Sequence, residues 1–278
     1  MELQEFIIQA LKEDIGNGDH TTLACIPENV NGKAVLKVKD NGIIAGIELA
    51  QIIAAKYDSE LKFELLLNDG NKVKAGDVAF IISGRKQSLL TTERLILNCM
   101  QRMSGIATIT NKFVKEVEGT GAKILDTRKT TPLNRVIEKR AVRIGGGMNH
   151  RFGLFDMILI KDNHIDMCGG VKEAIRNTKQ YLSKNNLSLR IEIEARNLEE
   201  IKMIVDEGGI DRILIDNFNP DTMFKAVELI HNRFETEASG GIVLENVRSY
   251  AETGVNYISV GALTHSYKSL DLSLKAFE

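Results

Sequence analysis

From Lys123 to about Leu263 the chain repeats one pattern, a short apolar run followed by a longer amphipathic segment. The runs are KILDTR, FDMILIKD, LRIEIEA, RILIDNF, FETEASGG and YISVGAL, with segments such as Asn197 to Glu207 and Pro220 to Asn232 between them. Runs that are apolar throughout are buried on both faces, and helical connections impose parallel pairing. The pattern therefore predicts a parallel sheet covered by helices. Such a sheet either closes into a barrel or stays open and doubly wound, and the strand ends discriminate. An open sheet gathers its site at one switch point, whereas a barrel collects loops from every strand. Here nearly every run ends in polar residues: Asp126-Thr127-Arg128, Lys161-Asp162, Glu192 and Glu194, Asp216-Asn217, Glu237 to Ser239, and Gly261. We expect a barrel mouth, built on six clear strands with Arg143 to Asn149 as a seventh.

Residues 1–105 read differently. Their strand-like runs, KAVLKVKD, LKFELLLNDG and DVAFIISG, show the alternation of an antiparallel sheet with one wet face. Asn41-Gly42 and Asp69-Gly70 have the composition of hairpin turns. Ser88 to Ser104 places Leu89, Leu90, Ile96, Leu97 and Met100 at helical spacing, and this helix closes the first domain. The expected division is an N-terminal α/β domain over 1–105 and a barrel domain over 106–263.

The chain carries a net charge of −2. Within Thr127 to Lys161, however, eight Lys or Arg face two acids, Glu138 and Asp156. Concentrated cations imply an anionic ligand. Arg135, Lys139, Arg140 and Arg143 lie at helical spacing and are expected on a solvated helix face. Arg128, Lys129, Arg151 and Lys161 are not explained that way. An RNA-binding reading of the segment lacks interleaved stacking residues, since its only aromatics are Phe152 and Phe155. Cys25, Cys99 and Cys168 are three in number and without CxxC spacing, which speaks against a disulfide framework or a zinc site and for a reduced, cytoplasmic interior. The acidic start MELQEFIIQALKEDIG lacks a basic leader region, and no window approaches the ~20 apolar residues of a membrane span.

The cations sit at strand ends. In Leu125-Asp126-Thr127-Arg128-Lys129 an apolar strand opens on a guanidinium that can fork a carboxylate or phosphate, beside a mobile ammonium. An ion pair with Asp126 is the competing reading. Gly145-Gly146-Gly147 precedes His150-Arg151 and permits close backbone approach. Lys161 ends a strand too apolar for the surface, so it needs an anionic partner, Asp162 or a phosphate. Glu192 and Glu194 share a strand face by period 2, and Asp216 ends the next strand. Carboxylates beside cations suit Mg²⁺ completed by substrate phosphates. Simple pairing of Glu192 and Glu194 with Lys161 or Arg128 is the alternative. The small-residue turns Ala238-Ser239-Gly240-Gly241 and Val260-Gly261-Ala262 stand where barrels often bind phosphate, although βα turns need glycine in any case.

Taken together, LDTRKTTP, GGGMNHRFGLFDMILIKDNHI, IEIEA, ILIDN, EASGGI and ISVGALTHS, with ERLILNCMQRMSGIAT in the first domain, resemble the motifs of the quinolinate phosphoribosyltransferase family in order and spacing. The chain departs from that pattern at Leu133-Asn134, where Gly-Leu is expected, and at Arg140 and Ile144. The resemblance implies an N-terminal α/β sandwich joined by the C-terminal tail 264–278, followed by an irregular α/β barrel. It also implies a homodimer whose sites draw on both subunits. The implied reaction joins quinolinate to phosphoribosyl pyrophosphate and releases nicotinate mononucleotide, pyrophosphate and CO₂, with Mg²⁺ and without nucleic-acid or membrane partners. By matching motif, Arg128, His150, Arg151 and Lys161 bind the quinolinate carboxylates and Thr127 also lines the substrate site, with Lys129 shared with the donor and Arg94 supplied by the partner subunit. Glu194 and Asp216 hold Mg²⁺ and the ribose, and Ser239, Gly240, Gly241, Gly261 and Ala262 receive the 5′-phosphate. Lys129, Lys161, Glu194 and Asp216 are the implied catalytic set. A relative acting on another base is the alternative enzyme, but four cations for two carboxylates favour a diacid.

Overall fold

A computed structural model describes residues 2–277. The chain forms two compact units. One comprises the chain through Asn111, Thr130–Gly146, and the chain from Leu263 onward; the other comprises Lys112–Lys129 and Gly147–Ala262.

The first unit holds a four-stranded antiparallel sheet in the order Leu272–Phe277, Asn31–Val38, Val78–Arg85, Lys62–Leu65. The C-terminal strand pairs with Asn31–Val38, Val38 opposite Leu272. Alternate residues Ala34, Leu36 and Val38 are buried, which is the one-wet-face pattern expected of these strands. The two turn dipeptides do not close hairpins. Gly42–Ile43 instead pairs with the distant Lys72–Val73, and Asp69 Oδ1 accepts the Ile47 N–H at 2.8 Å at the start of the helix Ile47–Tyr57. A short side-chain acceptor suits an exposed helix N-terminus as well as a turn, and the sequence does not distinguish the two uses.

The helix expected over Ser88 to Ser104 runs from Lys86 to Glu116. Gly105 does not end it. A Cβ there would lie 2.3 Å from the Lys268 carbonyl oxygen, so this glycine serves a close backbone approach within the helix. Thr130–Gly146 falls in the first unit and includes the helix Arg135–Ile144. On that helix Lys139 is buried, contrary to the expected solvated face.

The second unit is a six-stranded parallel sheet. Its order is Lys123–Leu125, Tyr257–Ser259, Glu235–Ser239, Arg212–Asp216, Ile191–Ala195, Ile158–Ile160. Ile193, Ile213, Ile215, Ala238 and Ile258 are fully buried, as strands covered on both faces require. Five strands follow chain order, and the last in sequence returns beside the first. This cyclic order without a reversal is that of a barrel rather than a doubly wound sheet. No hydrogen bonds join Lys123–Leu125 to Ile158–Ile160. The segment expected as a seventh strand contributes a single bridge, Met148 to Leu125, because its earlier residues complete the helix ending at Ile144. The helices Val171–Lys184, Leu198–Glu207 and Pro220–Ile230 alternate with the strands and bury Ile175, Ile201, Ile204, Met223 and Ile230.

Candidate active site

Parallel strands bring all their C-terminal ends to one edge, so the polar ends of the apolar runs become neighbours. Strand register makes the neighbours explicit. Ser239 lies opposite Asp216, Ala195 opposite Ile215, and Ser259 opposite Leu125. Thr127, Arg128, Lys129, Lys161, Glu194, Asp216, Ser239–Gly241 and Gly261–Ala262 thus all follow or end strands at this edge.

After Leu125 the loop turns at once, the Lys129 N–H donating to Thr127 Oγ1 at 3.0 Å, which leaves Arg128 and Lys129 exposed. Asp126 is fully buried and serves the next segment. Its Oδ1 accepts the His150 N–H at 2.8 Å and its Oδ2 accepts the Asn149 side-chain amide. Arg151 is half-buried and donates to the Met157 carbonyl at 3.2 Å. Burial and then the charge of Arg128 pull the Arg151 guanidinium below its usual range, while Glu192 and Asp156 oppose that shift. Cations that disfavour one another in this way form a site primed for an anion.

Lys161 is 51% exposed and its Nζ lies 3.8 Å from Glu194 Oε2, so it is not buried as its sequence context implied, and its acidic neighbour is Glu194. Burial, and next the neighbouring Asp216, push the Glu194 carboxyl above the ordinary range, with Lys161 acting against them. Two oxygen donors that crowd each other electrostatically are suited to sharing a hard divalent cation, so Glu194 and Asp216 fit Mg²⁺.

Gly240 has φ +95°, and a Cβ on it would fall 2.2 Å from Asn217 Oδ1. The Asn217 N–H donates to the Ser239 carbonyl at 2.9 Å, which ties the turns after two neighbouring strands together. Glycine at 240 is therefore required both by backbone conformation and by space.

One step down the same strands lies a buried polar layer whose full extent the sequence reasoning missed. Glu192 and Glu237 are fully buried, and Arg212 is 8% exposed. Arg212 Nη1 donates to Glu237 Oε2 at 2.8 Å, and its Nη2 donates to Glu235 Oε2 at 3.1 Å. His150 was expected to face the ligand; its Nε2 instead lies 2.9 Å from Glu192 Oε2 and 3.5 Å from Glu237 Oε2. The signal was available: Glu235, Glu237 and Ser239 alternate by period 2, as Glu192 and Glu194 do. Arg94 is exposed on the helix Lys86–Glu116, in the first unit.

The family model described as the C-terminal domain of quinolinate phosphoribosyl transferase matches residues 106–275, and that of the N-terminal domain matches residues 19–104. The chain is 47% identical to the mitochondrial quinolinate phosphoribosyltransferase [decarboxylating] 2b of Nicotiana tabacum, over 99% of this chain and 82% of that protein. It is 41% identical to the probable nicotinate-nucleotide pyrophosphorylase [carboxylating] of Bacillus subtilis, over 99% of this chain and 93% of the other. Among solved structures, the nicotinate-nucleotide pyrophosphorylase of Francisella tularensis superimposes with a TM-score of 0.91 at 37% identity, covering 99% of this chain and 96% of that one. With both domain models matched, together spanning nearly its whole length, the chain belongs to the quinolinate phosphoribosyltransferase family.

Proposed function

We propose that this protein transfers the phosphoribosyl group of phosphoribosyl pyrophosphate to quinolinate with loss of CO₂, giving nicotinate mononucleotide and pyrophosphate in de novo NAD synthesis. The observation that carries this reading is the convergence at one sheet edge of Arg128, Lys129, Arg151 and Lys161 with the acids Glu194 and Asp216 and the glycine turn at 239–241. A dicarboxylate and a polyphosphorylated sugar together need many cations, and a few oxygen donors for a metal.

In this reading Thr127, Arg128, Arg151 and Lys161 receive the carboxylates, with His150 behind Arg151, and Lys129 serves both substrates. Glu194 and Asp216 hold Mg²⁺ and the ribose hydroxyls, and the metal supplies charge neutralisation for the pyrophosphate. The backbone at Ser239–Gly241 and Gly261–Ala262 receives the 5′-phosphate. The ring nitrogen displaces pyrophosphate at ribose C1 and becomes cationic. The bond from C2 to its carboxylate then breaks, its electron pair stays on C2 beside the positive nitrogen, and a proton completes the product. Catalysis is positioning and electrostatics, and cations that held the departing carboxylate too tightly would oppose its loss. The protein acts as a homodimer in which Arg94 of one subunit completes the acid site of the other. The three free thiols, Cys25, Cys99 and Cys168, suit a reducing cytoplasm, and no helix among the described residues is long and apolar enough to cross a membrane.

The direct test mixes the purified protein with quinolinate, phosphoribosyl pyrophosphate and Mg²⁺ and measures nicotinate mononucleotide. Nicotinate in place of quinolinate should be used far more poorly, because it lacks one of the two carboxylates that Arg128, Arg151 and Lys161 are placed to receive. Comparable kcat/KM for the two acids would overturn the diacid reading.

A further inference from the structure

Glu192 and Glu237 are fully buried, yet both oxygens of Glu192 and Oε1 of Glu237 lack a hydrogen-bond partner. Burial of acids with so little satisfaction is expensive, and such groups persist where function requires them. The group that Glu192 approaches most closely is an imidazole, His150 Nε2 at 2.9 Å from Oε2. The other ring nitrogen, Nδ1, accepts the Arg151 N–H at 2.7 Å, so the neutral ring carries its proton on Nε2, the nitrogen in contact with Glu192. Asp126 holds the same residue from the other side through the His150 N–H.

Ligand atoms of His150, Glu192 and Glu237 lie within 4.8 Å of one another, as a metal would require. Arg212 argues against an ion there. Its Nη1 is 2.8 Å from Glu237 Oε2 and 4.0 Å from Glu192 Oε1, so a guanidinium already supplies the positive charge and would repel a second cation.

We propose that Glu192 is a positioning residue for Arg151: by holding His150 as the Nε2–H tautomer it fixes the His150–Arg151 backbone, and with it the direction from which Arg151 meets an acid substrate. Arg212 engages Glu237, which leaves Glu192 to the imidazole. The kinetic part rests on the reading of the mouth as a quinolinate site; the tautomer does not.

The test has two arms. Nitrogen-15 imidazole spectra of the protein, which has five histidines, are assigned with His150→Asn. His150 should show one Nε2–H tautomer in the wild type and in Glu192→Gln, and an averaged tautomer in Glu192→Ala. In steady-state kinetics Glu192→Ala should raise KM for quinolinate by about tenfold, with KM for phosphoribosyl pyrophosphate changed by less than about twofold. Glu192→Gln should return to within about threefold of wild type, since its amide keeps an oxygen at the 2.9 Å contact with His150 Nε2. A wild-type Nδ1–H or mixed tautomer overturns the proposal. So does a Gln variant as impaired as the Ala variant, or an equal rise in both KM values. If Glu192→Ala does not fold, the wild-type spectra and Glu192→Gln still decide. If the wild type makes no product from quinolinate, the functional reading fails, and the spectra decide the orientation by themselves.

Discussion

Replacing Glu237 with glutamine should stabilise the protein above neutral pH and leave it nearly unchanged in mild acid. Glu237 is fully buried. That burial, and then the adjacent Glu192 carboxylate, push its carboxyl up to about 7, against the opposing pull of His150, Arg212 and the Ser259 hydroxyl. In the unfolded chain the same group titrates near 4.5. Between these values the folded protein keeps a proton that the unfolded chain has released. Unfolding free energy therefore falls as pH rises across that window, by about 1.4 kcal/mol per unit. A window of about 2.5 units corresponds to roughly 3 kcal/mol by the time Glu237 is ionised in both states. Glutamine resembles the protonated acid in size and hydrogen-bonding capacity and does not titrate, so Glu237→Gln should lack this slope. Urea unfolding of both proteins from about pH 5 to about pH 8, with m values compared, should show a difference that grows with pH toward roughly 3 kcal/mol. A variant less stable than wild type at the alkaline end would refute the reasoning, because it would mean that the ionised Glu237–Arg212 pair is net stabilising. A difference independent of pH would refute it as well.

Three other outcomes are expected. Asp216→Asn should weaken use of phosphoribosyl pyrophosphate at limiting Mg²⁺ and recover partly in excess metal; an unchanged Mg²⁺ dependence would return Glu194 and Asp216 to plain ion pairing. Leu133 is 71% exposed at φ +67°, a left-handed conformation that favours glycine. Relief of about 1–2 kcal/mol of left-handed strain, less the entropy of a glycine, should make Leu133→Gly neutral or stabilising by up to about 1 kcal/mol in thermal unfolding, and a clear loss would assign packing to that side chain. Arg94→Ala and Arg128→Ala should each be nearly inactive, yet regain up to roughly a quarter of wild-type activity when mixed under subunit exchange, because one site of each mixed dimer keeps both arginines. No recovery, with exchange confirmed, would place Arg94 in its own subunit's structure.

The amino-acid sequence by itself determined the parallel sheet, its helical covering and the edge at which its polar strand ends collect. Those features follow from period and burial along contiguous residues: IEIEA and ILIDN can be little other than buried strands with acids at their ends. The same local logic located Arg128, Lys129, Lys161, Glu194 and Asp216, each of which lies within a residue or a few of a strand end. Tertiary structure decided which partner each group takes. Sequence separation hides that His150 comes to rest against Glu192 and that Arg212 pairs with Glu237, and of the partners the sequence left open to Lys161 the fold brings up Glu194. It also decided that Gly105 admits the Lys268 backbone instead of ending a helix, and that Asp69 meets the start of a helix instead of closing a hairpin. A residue's conformation and burial answer largely to its near neighbours in the chain. Its electrostatic partner answers to strand register and barrel order, which bring distant residues within 3 or 4 Å only when the whole sheet has formed.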